Sequence, residues 1–558
     1  MKKNLRLCIA QINCTVGDLK GNADKVIECL QKAKTIGADI ISFPELTITG
    51  YPPEDLLLKK AFVDDNLEAL KRITKAVNDM VAIVGFIDRS GQDLYNAAAV
   101  IYKGEVKGVC RKELLPNYGV FDEKRYFKPG KDSRIFKLGD FIFGANVCED
   151  IWHTEGPLCA QAALGAKLII NINSSPYHAG KVKEREDIVK SQAKANNVVV
   201  SYANLVGGQD ELVFDGQSMV VDGTGKVLAR AEAFKEDIVA IDVDVPVDKN
   251  NVSKTAILIT ESYTPKNKPV LLKKDTRPLE LTAEIYQALL LGLKDYVLKN
   301  GFKKVVIGMS GGVDSALVAV LAVDALGKDN VLGVYMPTRY SSSQSETDAR
   351  AVCANLGIKL NAISIDHIFK IYLMSLEQQF AGAPKNITEE NIQARIRGNI
   401  LMALSNKFGY MVLTTGNKSE MSTGYATLYG DMAGGFAVIK DVPKTLVYKL
   451  VSYRNSISMA IPESIITKAP TAELRPNQKD QDTLPSYDML DQILKEYVEE
   501  DKGYDEIVNM GFDKEVVGKV LNMVDRSEYK RRQSPPGIKI TPKAFGKDRR
   551  MPITNKYK

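Results

Sequence analysis

Two stretches of this chain combine residue types capable of chemistry with settings that would hold them still. The first is Ser310-Gly311-Gly312-Val313-Asp314-Ser315, set between a hydrophobic run, 303–309, that reads as a short buried strand and an apolar run, 316–326, that reads as a helix. A strand-to-helix turn suits a phosphate. Two adjacent glycines let successive backbone N–H groups converge on an anion, Ser310 and Ser315 add hydroxyl donors, and the helix start adds partial positive charge. The loop lacks the Gly-Lys-Ser/Thr ending of a γ-phosphate-cleaving P-loop, so Asp314 is free to hold a magnesium ion against the phosphates instead. The second stretch is Cys148-Glu149-Asp150, delivered to a turn by the strand-like run 141–147.

Cys148 stands out among seven cysteines, the others being Cys8, Cys14, Cys29, Cys110, Cys159 and Cys353. None forms a C-x-x-C pair, and an odd count points to reduced thiols, most of which serve as buried filler. A thiol at the end of a buried strand is held rigidly and can still be reached. The two acids that follow it would raise its pKa, so a thiolate there requires a cation or a base from elsewhere in the fold. Glu45, after the strand-like run 38–43, and Lys112, after 105–109, also fall at strand ends. The rival is a Cys-His pair, because His153 lies five residues on; the others are His178 and His367. The turn it shares with Trp152 predicts a packed, hydrogen-bonded histidine.

The 310–315 loop resembles the pyrophosphate loop of the ATP pyrophosphatase superfamily, whose members activate a carboxyl or carbonyl as an adenylate and release pyrophosphate. Four more stretches, 391–405 (NIQARIRGNILMALS), 413–420 (LTTGNKSE), 429–444 (YGDMAGGFAVIKDVPK) and 469–474 (APTAEL), resemble NAD synthetases in that order. The resemblance implies that Ser310, Gly311, Gly312, Val313, Asp314, Ser315 and Thr415 bind ATP and that Asp314 and Glu420 share Mg2+. It also implies that Arg395, Asn399, Glu420, Asp431, Lys444 and Lys530 form the deamido-NAD site, with the Lys530-Arg531 step closing over substrate phosphates. From residue type alone, Arg395 and Arg397 read equally well as a solvated helix face.

Upstream, the segments around Glu45, Lys112 and Cys148 resemble the Glu-Lys-Cys amidohydrolases of the nitrilase superfamily, the build of the glutaminase halves of glutamine-dependent NAD synthetases. That resemblance implies Glu45 as general base, Cys148 as nucleophile on the glutamine side-chain amide and Lys112 as oxyanion donor. Glu123 is a candidate second glutamate. Tyr118, Ser175, Lys181 and Arg185, with Ser174, are implied near the glutamine. For Ser175 a turn or cap role is equally open.

A length of 558 residues, 45% hydrophobic and 26% charged, leaves room for two α/β domains. The expected organisation is a nitrilase-like four-layer αββα sandwich over 1–247, a connector over 248–277, a Rossmann-like parallel-sheet domain over 278–530 and a basic C-terminal tail over 531–558. No apolar run is long enough to span a bilayer, and residues 1–14 read as a first strand and not as a signal peptide; a cytoplasmic enzyme is expected. The net charge of +6 is too small to argue for nucleic acid. The expected small-molecule partners are glutamine, ATP and deamido-NAD, with neither nucleic acid nor membrane, in a homo-oligomer built through the synthetase half. Two other classes stay open: an adenylating enzyme that acts on tRNA through the basic tail, and a noncatalytic binder on an enzyme scaffold.

Overall fold

The computed structural model describes residues 2–247, 255–263, 268–271 and 276–557. By internal contacts it divides into one unit of Met1–Gln209 with Val213–Leu279 and another of Asp210–Leu212 with Glu280–Lys558.

Short aliphatic and β-branched runs bounded by turns build the first unit. Its strands are β1 (Lys2–Gln11), β2 (Ile40–Ser42), β3 (Val81–Ser90), β4 (Asp93–Tyr102), β5 (Glu105–Arg111), β6 (Ile135–Leu138), β7 (Phe141–Val147), β8 (Leu168–Asn173), β9 (Val199–Asn204), β10 (Val206–Gln209), β11 (Leu212–Asp215), β12 (Met219–Val221), β13 (Val227–Arg230), β14 (Asp237–Pro246) and β15 (Ile257–Thr260). One sheet runs β14-β1-β2-β3-β4-β5 and a second runs β13-β12-β9-β8-β7-β6-β15, while β10 and β11 form a separate ladder. Side chains from both large sheets, among them Leu7, Ile9, Val81, Val100, Phe143, Val147, Ile170 and Ile172, share one buried core. Helices α1 (Leu19–Ile36) and α2 (Lys60–Ala76) belong to the first sheet's side. Helices α3 (Pro157–Ala163) and α4 (Lys181–Asn196) cover the second through Leu158, Val189 and Ala193. The result is the αββα sandwich that alternating burial dictates.

Within the 248–277 stretch, expected as a connector, Ile257–Thr260 forms β15, which pairs parallel to β6 and buries Ile259 in the inter-sheet core. Tyr263 and Lys268 bond to Asp39, and Arg6 donates to Pro269 O, so the described part of this stretch is stitched to the first sheet.

In the second unit, β16 (Val305–Met309), β17 (Val331–Tyr335), β18 (Lys359–Ala362), β19 (Met411–Thr414) and β20 (Phe436–Ala437) pair in parallel in the order β18-β17-β16-β19-β20. Its helices include α5 (Leu281–Lys299), α6 (Val313–Leu326), α7 (Ser343–Leu356), α8 (Asp366–Leu376), α9 (Ile387–Phe408), α10 (Lys418–Thr423) and α11 (Lys444–Ile457). Helix α6 starts three residues earlier than its apolar run suggests, because Gly312 caps it in extended backbone; Asp314 and Ser315 therefore ride in its first turn. The sheet order reverses between β16 and β19, and a crevice outside the carboxyl ends of such strands is where open α/β sheets bind ligands.

The basic run after residue 530 is part of this unit and not an arm. Ile538 and Ile540 are fully buried, and Asp441 accepts from Ile540 N, Thr541 N and Thr541 Oγ1. Within the unit Arg531 pairs with Glu528, Lys539 with Asp548, Lys543 with Asp501 and Arg549 with Asp525. Among the described residues no helix is long and apolar enough to cross a membrane.

Candidate active sites

In the first unit, strand ends bring Glu45, Lys112 and Cys148 together. Lys112 Nζ lies 2.8 Å from Glu45 Oε1 and 2.9 Å from Glu123 Oε1, with all three side chains buried. Glu45 also accepts from Asn96 Nδ2 at 2.7 Å and from Ser174 N at 2.8 Å, and Tyr51 OH holds Glu123 Oε1 at 2.9 Å. Close approach is built in: a Cβ on Gly85 would meet Pro44 O at 2.4 Å and Leu46 N at 2.5 Å, so only glycine lets β3 pass beneath the Glu45 turn. Cys148 opens the 3-10 turn Cys148–Ile151 in left-handed backbone, φ 46°, and Leu46, directly after Glu45, shares that φ. A non-glycine residue held there costs of order 1–3 kcal/mol, and such strain collects at functional positions.

Burial first, and then the charge of Glu45, push the Cys148 thiol well above its ordinary value, with Lys112 pulling the other way. Burial opposes the Lys112 ammonium, yet Glu123 and Glu45 outweigh it and hold its pKa well above the usual range. Glu149 adds to the rise at Cys148. Asp150 turns away to accept from Val147 N, Glu113 N and Leu114 N, so one carboxylate ties the nucleophile's turn to the loop that follows Lys112. His153, expected to be packed, is 58% exposed at its side chain and approaches Glu149 at 3.6 Å, which leaves it no part in a Cys-His pair.

Of the residues implied near glutamine, Tyr118, Lys181 and Arg185 lie within electrostatic reach of Cys148. Tyr118 is exposed, its OH 3.1 Å from both Glu149 oxygens. Lys181 sits 4.1 Å over the Trp152 ring and bonds Glu184. Ser175 N donates to Asn204 Oδ1, while Ser174 gives Glu45 both its N–H and its hydroxyl. Arg185 is fully buried with two nitrogens on Asp215 at 3.0 Å, so it is engaged within the protein. Sequence reasoning missed Asn96 and Asp150. The signal for Asn96 was there: a lone amide in the apolar strand LYNAAAVIY.

In the second unit a cavity of about 300 Å³ opens at the switch point. Ser310, Gly312, Val313, Asp314 and Ser315 line it from β16 and α6, and Thr415 and Glu420 line it after β19. Gly311 carries φ 77°, and a Cβ there would meet Ser345 O at 2.3 Å. Asp314 pairs with Lys444 and accepts from Asn417 Nδ2 at 3.1 Å, while Asn417 and Glu420 cap α10 reciprocally. Burial and the neighbouring Asp314 push the Glu420 carboxyl up to about 8, against Lys444. Two half-buried carboxylates side by side, with oxygen donors only, fit a hard divalent cation completed by phosphate oxygens and water. Among the described residues no group of three or more His, Cys, Asp or Glu could hold a metal alone.

Asp431 and Lys444 line the same cavity, Asp431 at an exposed position with its carboxylate accepting from Thr427 N at 2.7 Å. Lys530 donates to Gly424 O and Ala426 O, just past the end of α10. Arg395 and Asn399 are exposed and are not among the lining residues; Arg395 Nε donates to Leu428 O. Arg397 takes the inward place. Helical spacing explains why: Ala394, Arg397, Gly398 and Leu401 share one face, and all four line the cavity.

Residues 6–247 match the carbon-nitrogen hydrolase family and residues 285–534 the NAD synthase family. The chain is 50% identical to the glutamine-dependent NAD(+) synthetase of Thermotoga maritima, covering 100% of this chain and 99% of that one. It is 48% identical to the enzyme of the same name from Aquifex aeolicus, covering 99% and 100%. A solved structure of the Acinetobacter baumannii glutamine-dependent NAD+ synthetase in complex with ADP superposes with a TM-score of 0.77 at 42% identity, covering 99% of each chain. With a buried Glu-Lys-Cys cluster in one unit, a carboxylate pair beside a phosphate loop in the other, and this identity over its whole length, the chain belongs to the glutamine-dependent NAD(+) synthetases.

Proposed function

We propose that the chain hydrolyses glutamine in its first unit and uses the ammonia in its second to amidate deamido-NAD, with ATP converted to AMP and pyrophosphate. The observation that carries the first half is the buried Lys112 between Glu45 and Glu123, next to a thiol that burial keeps protonated. A protonated thiol attacks only if a base takes its proton during attack, and Glu45 is the carboxylate that bears on it. Cys148 Sγ bonds to the side-chain carbonyl carbon of glutamine. Lys112 Nζ, with the N–H of Glu149, receives the oxyanion, and Glu45 returns the proton to the departing ammonia. Water then hydrolyses the thioester to glutamate. Tyr118, Ser175, Lys181 and Arg185 hold the glutamine, Arg185 through Asp215 and the shape of the pocket.

In the second unit the 310–315 loop takes the ATP phosphates and Thr415 flanks them. Asp314 and Glu420 would hold Mg2+, which when bound neutralises phosphate charge. Lys444, paired with Asp314, supplies a cation beside the substrate. Asp431 and Lys530 order the 424–431 wall, and Arg395 and Asn399 serve whatever part of the dinucleotide extends beyond the cavity. The nicotinate carboxylate becomes an adenylate, pyrophosphate leaves, and ammonia displaces AMP. A cytoplasmic location and a homo-oligomer built through the synthetase unit complete this reading.

The test is NAD formation from deamido-NAD and Mg-ATP, followed by mass spectrometry, for wild type and Cys148→Ala with glutamine or ammonium as nitrogen source. The variant should lose glutamine use and keep ammonium use. If wild type forms no NAD from either source, the dinucleotide assignment fails.

A further inference from the structure

Arg397 stands at the cavity wall with its charge unanswered. Its orientation is fixed by close packing: a Cβ on Gly398 would meet Gly430 O at 2.7 Å, and one on Gly430 would meet Ala394 Cβ at 2.8 Å. Helix α9 is therefore pressed onto the segment around Gly430, and Arg397, on the same face, is aimed inward. Nε donates to Met336 O at 3.0 Å; among the described residues this is its only hydrogen bond, and no carboxylate lies within ion-pair distance. The nearest acids it feels are already engaged. Glu473 accepts from Ser342, Ser345 and Lys468, and Asp431 accepts from Thr427 N. Burial pulls the guanidinium down to about 10, the mark of a cation lacking a counter-charge.

A desolvated cation without a partner is expensive, and folds retain one where a ligand brings the opposite charge. With Nε committed, two terminal nitrogens remain as a planar fork, which matches two oxygens on one phosphorus. We propose that Arg397 is a phosphoryl-binding residue whose terminal nitrogens receive non-bridging phosphate oxygens of the nucleotide held in this cavity. The proposal rests on the reading of the cavity as a nucleotide site. ATP and deamido-NAD both carry such groups, and separate arms of one experiment tell them apart.

The full-length chain is compared as wild type, Arg397→Met and Arg397→Lys. Thermal unfolding is followed without ligand and with Mg-ATP or deamido-NAD, and ammonium-dependent NAD formation gives each KM. Without ligand, Arg397→Met should unfold at or above the wild-type temperature, since it removes a half-buried charge that has no carboxylate partner. Its KM for the nucleotide whose phosphate Arg397 holds should rise about 10- to 100-fold, with loss of that ligand's thermal shift. Arg397→Lys should recover part of this, because a point charge replaces a fork. A rise confined to ATP assigns the phosphate to ATP, and one confined to deamido-NAD assigns it to the dinucleotide. If both KM values of Arg397→Met stay within about twofold of wild type, or the variant merely unfolds earlier with KM unchanged, the proposal is overturned. A wild type that neither binds nor uses either nucleotide would instead sink the underlying reading.

Discussion

Around Cys148 the protein answers its own charges. Lys112 is matched by Glu45 and Glu123, Glu45 is further held by Asn96 and Ser174, and Tyr51 holds Glu123. Around the 310–315 loop charges are left over: Glu420 is pushed up to about 8 by burial and by Asp314, and Arg397 is drawn down to about 10 with no carboxylate within ion-pair distance. The contrast follows from what each site must hold. Glutamine offers a neutral amide at the reacting centre, so the charges that catalyse its attack must be paired and aimed before it arrives. A nucleotide brings several charges of its own, and a site already neutral would have nothing to bind them with. The first site is closed in advance; the second is completed by its ligands.

The comparison breaks hardest at Lys112. Lys112→Met should lower glutamine-dependent NAD formation by about 100- to 1,000-fold through loss of an oxyanion donor. It also leaves Glu45 and Glu123 buried without their cation, so ligand-free stability should fall by about 3–5 kcal/mol in urea unfolding. Arg397→Met, the removal of a half-buried cation with no carboxylate partner, should move ligand-free stability the other way or not at all. Equal losses in the two variants would erase the distinction between a closed and an open site.

A smaller effect sharpens the role of Asp150. Its carboxylate accepts from Glu113 N, Leu114 N and Val147 N, so it joins the Lys112 loop to the Cys148 turn without touching the thiol. Asp150→Ala leaves three N–H groups, that of Val147 buried and those of Glu113 and Leu114 part-buried, without this acceptor, and glutaminase turnover should fall about 10- to 100-fold with ammonium-dependent synthesis unchanged. Asp150→Asn, which keeps one carbonyl oxygen, should lose less. If Asp150→Ala slows both nitrogen sources equally, the coupling it provides is not local to the glutaminase site.

The same contrast explains what could be read from the sequence. Glu45, Lys112 and Cys148 were legible because a strand end is a local event, marked by an aliphatic run and a turn. Asp314 was legible because its loop is contiguous. Asp150 was read as a neighbour that would raise the thiol pKa; its real partners are 36 and 37 positions upstream, beyond local pattern. Arg397 was readable in principle, since 394, 398 and 401 mark the small, apolar face of α9, but choosing between Arg395 and Arg397 required the phase of that face. For the basic tail, composition counts charges and not their partners: Lys543 finds Asp501 and Arg549 finds Asp525, both back along the chain. In the connector stretch, β15 is four residues at a sheet edge, too short for periodicity to show.

The finest test of the closed site is its response to acid. Burial raises the Glu123 carboxyl from an ordinary 4.5 to about 6; Lys112 opposes the rise and Glu45 adds to it. A folded-state pKa above the unfolded one means the folded protein takes up this proton first. The associated stability is fully present below about 4.5 and is lost as pH rises through about 6. Activity runs the other way, because protonated Glu123 no longer pairs as a charge with Lys112, and the ammonium that awaits the oxyanion loses one of its two carboxylate partners. Between pH 7 and 5 glutaminase kcat/KM should therefore fall while the Glu123 contribution to stability grows. Glu123→Gln should remove that acid limb and leave a flat, lower rate, down less than about tenfold because a single charged hydrogen bond is weakened among several. An acid limb near 6 that persists unchanged in Glu123→Gln would place the titration on another group and leave Glu123 as a packing partner of Tyr51.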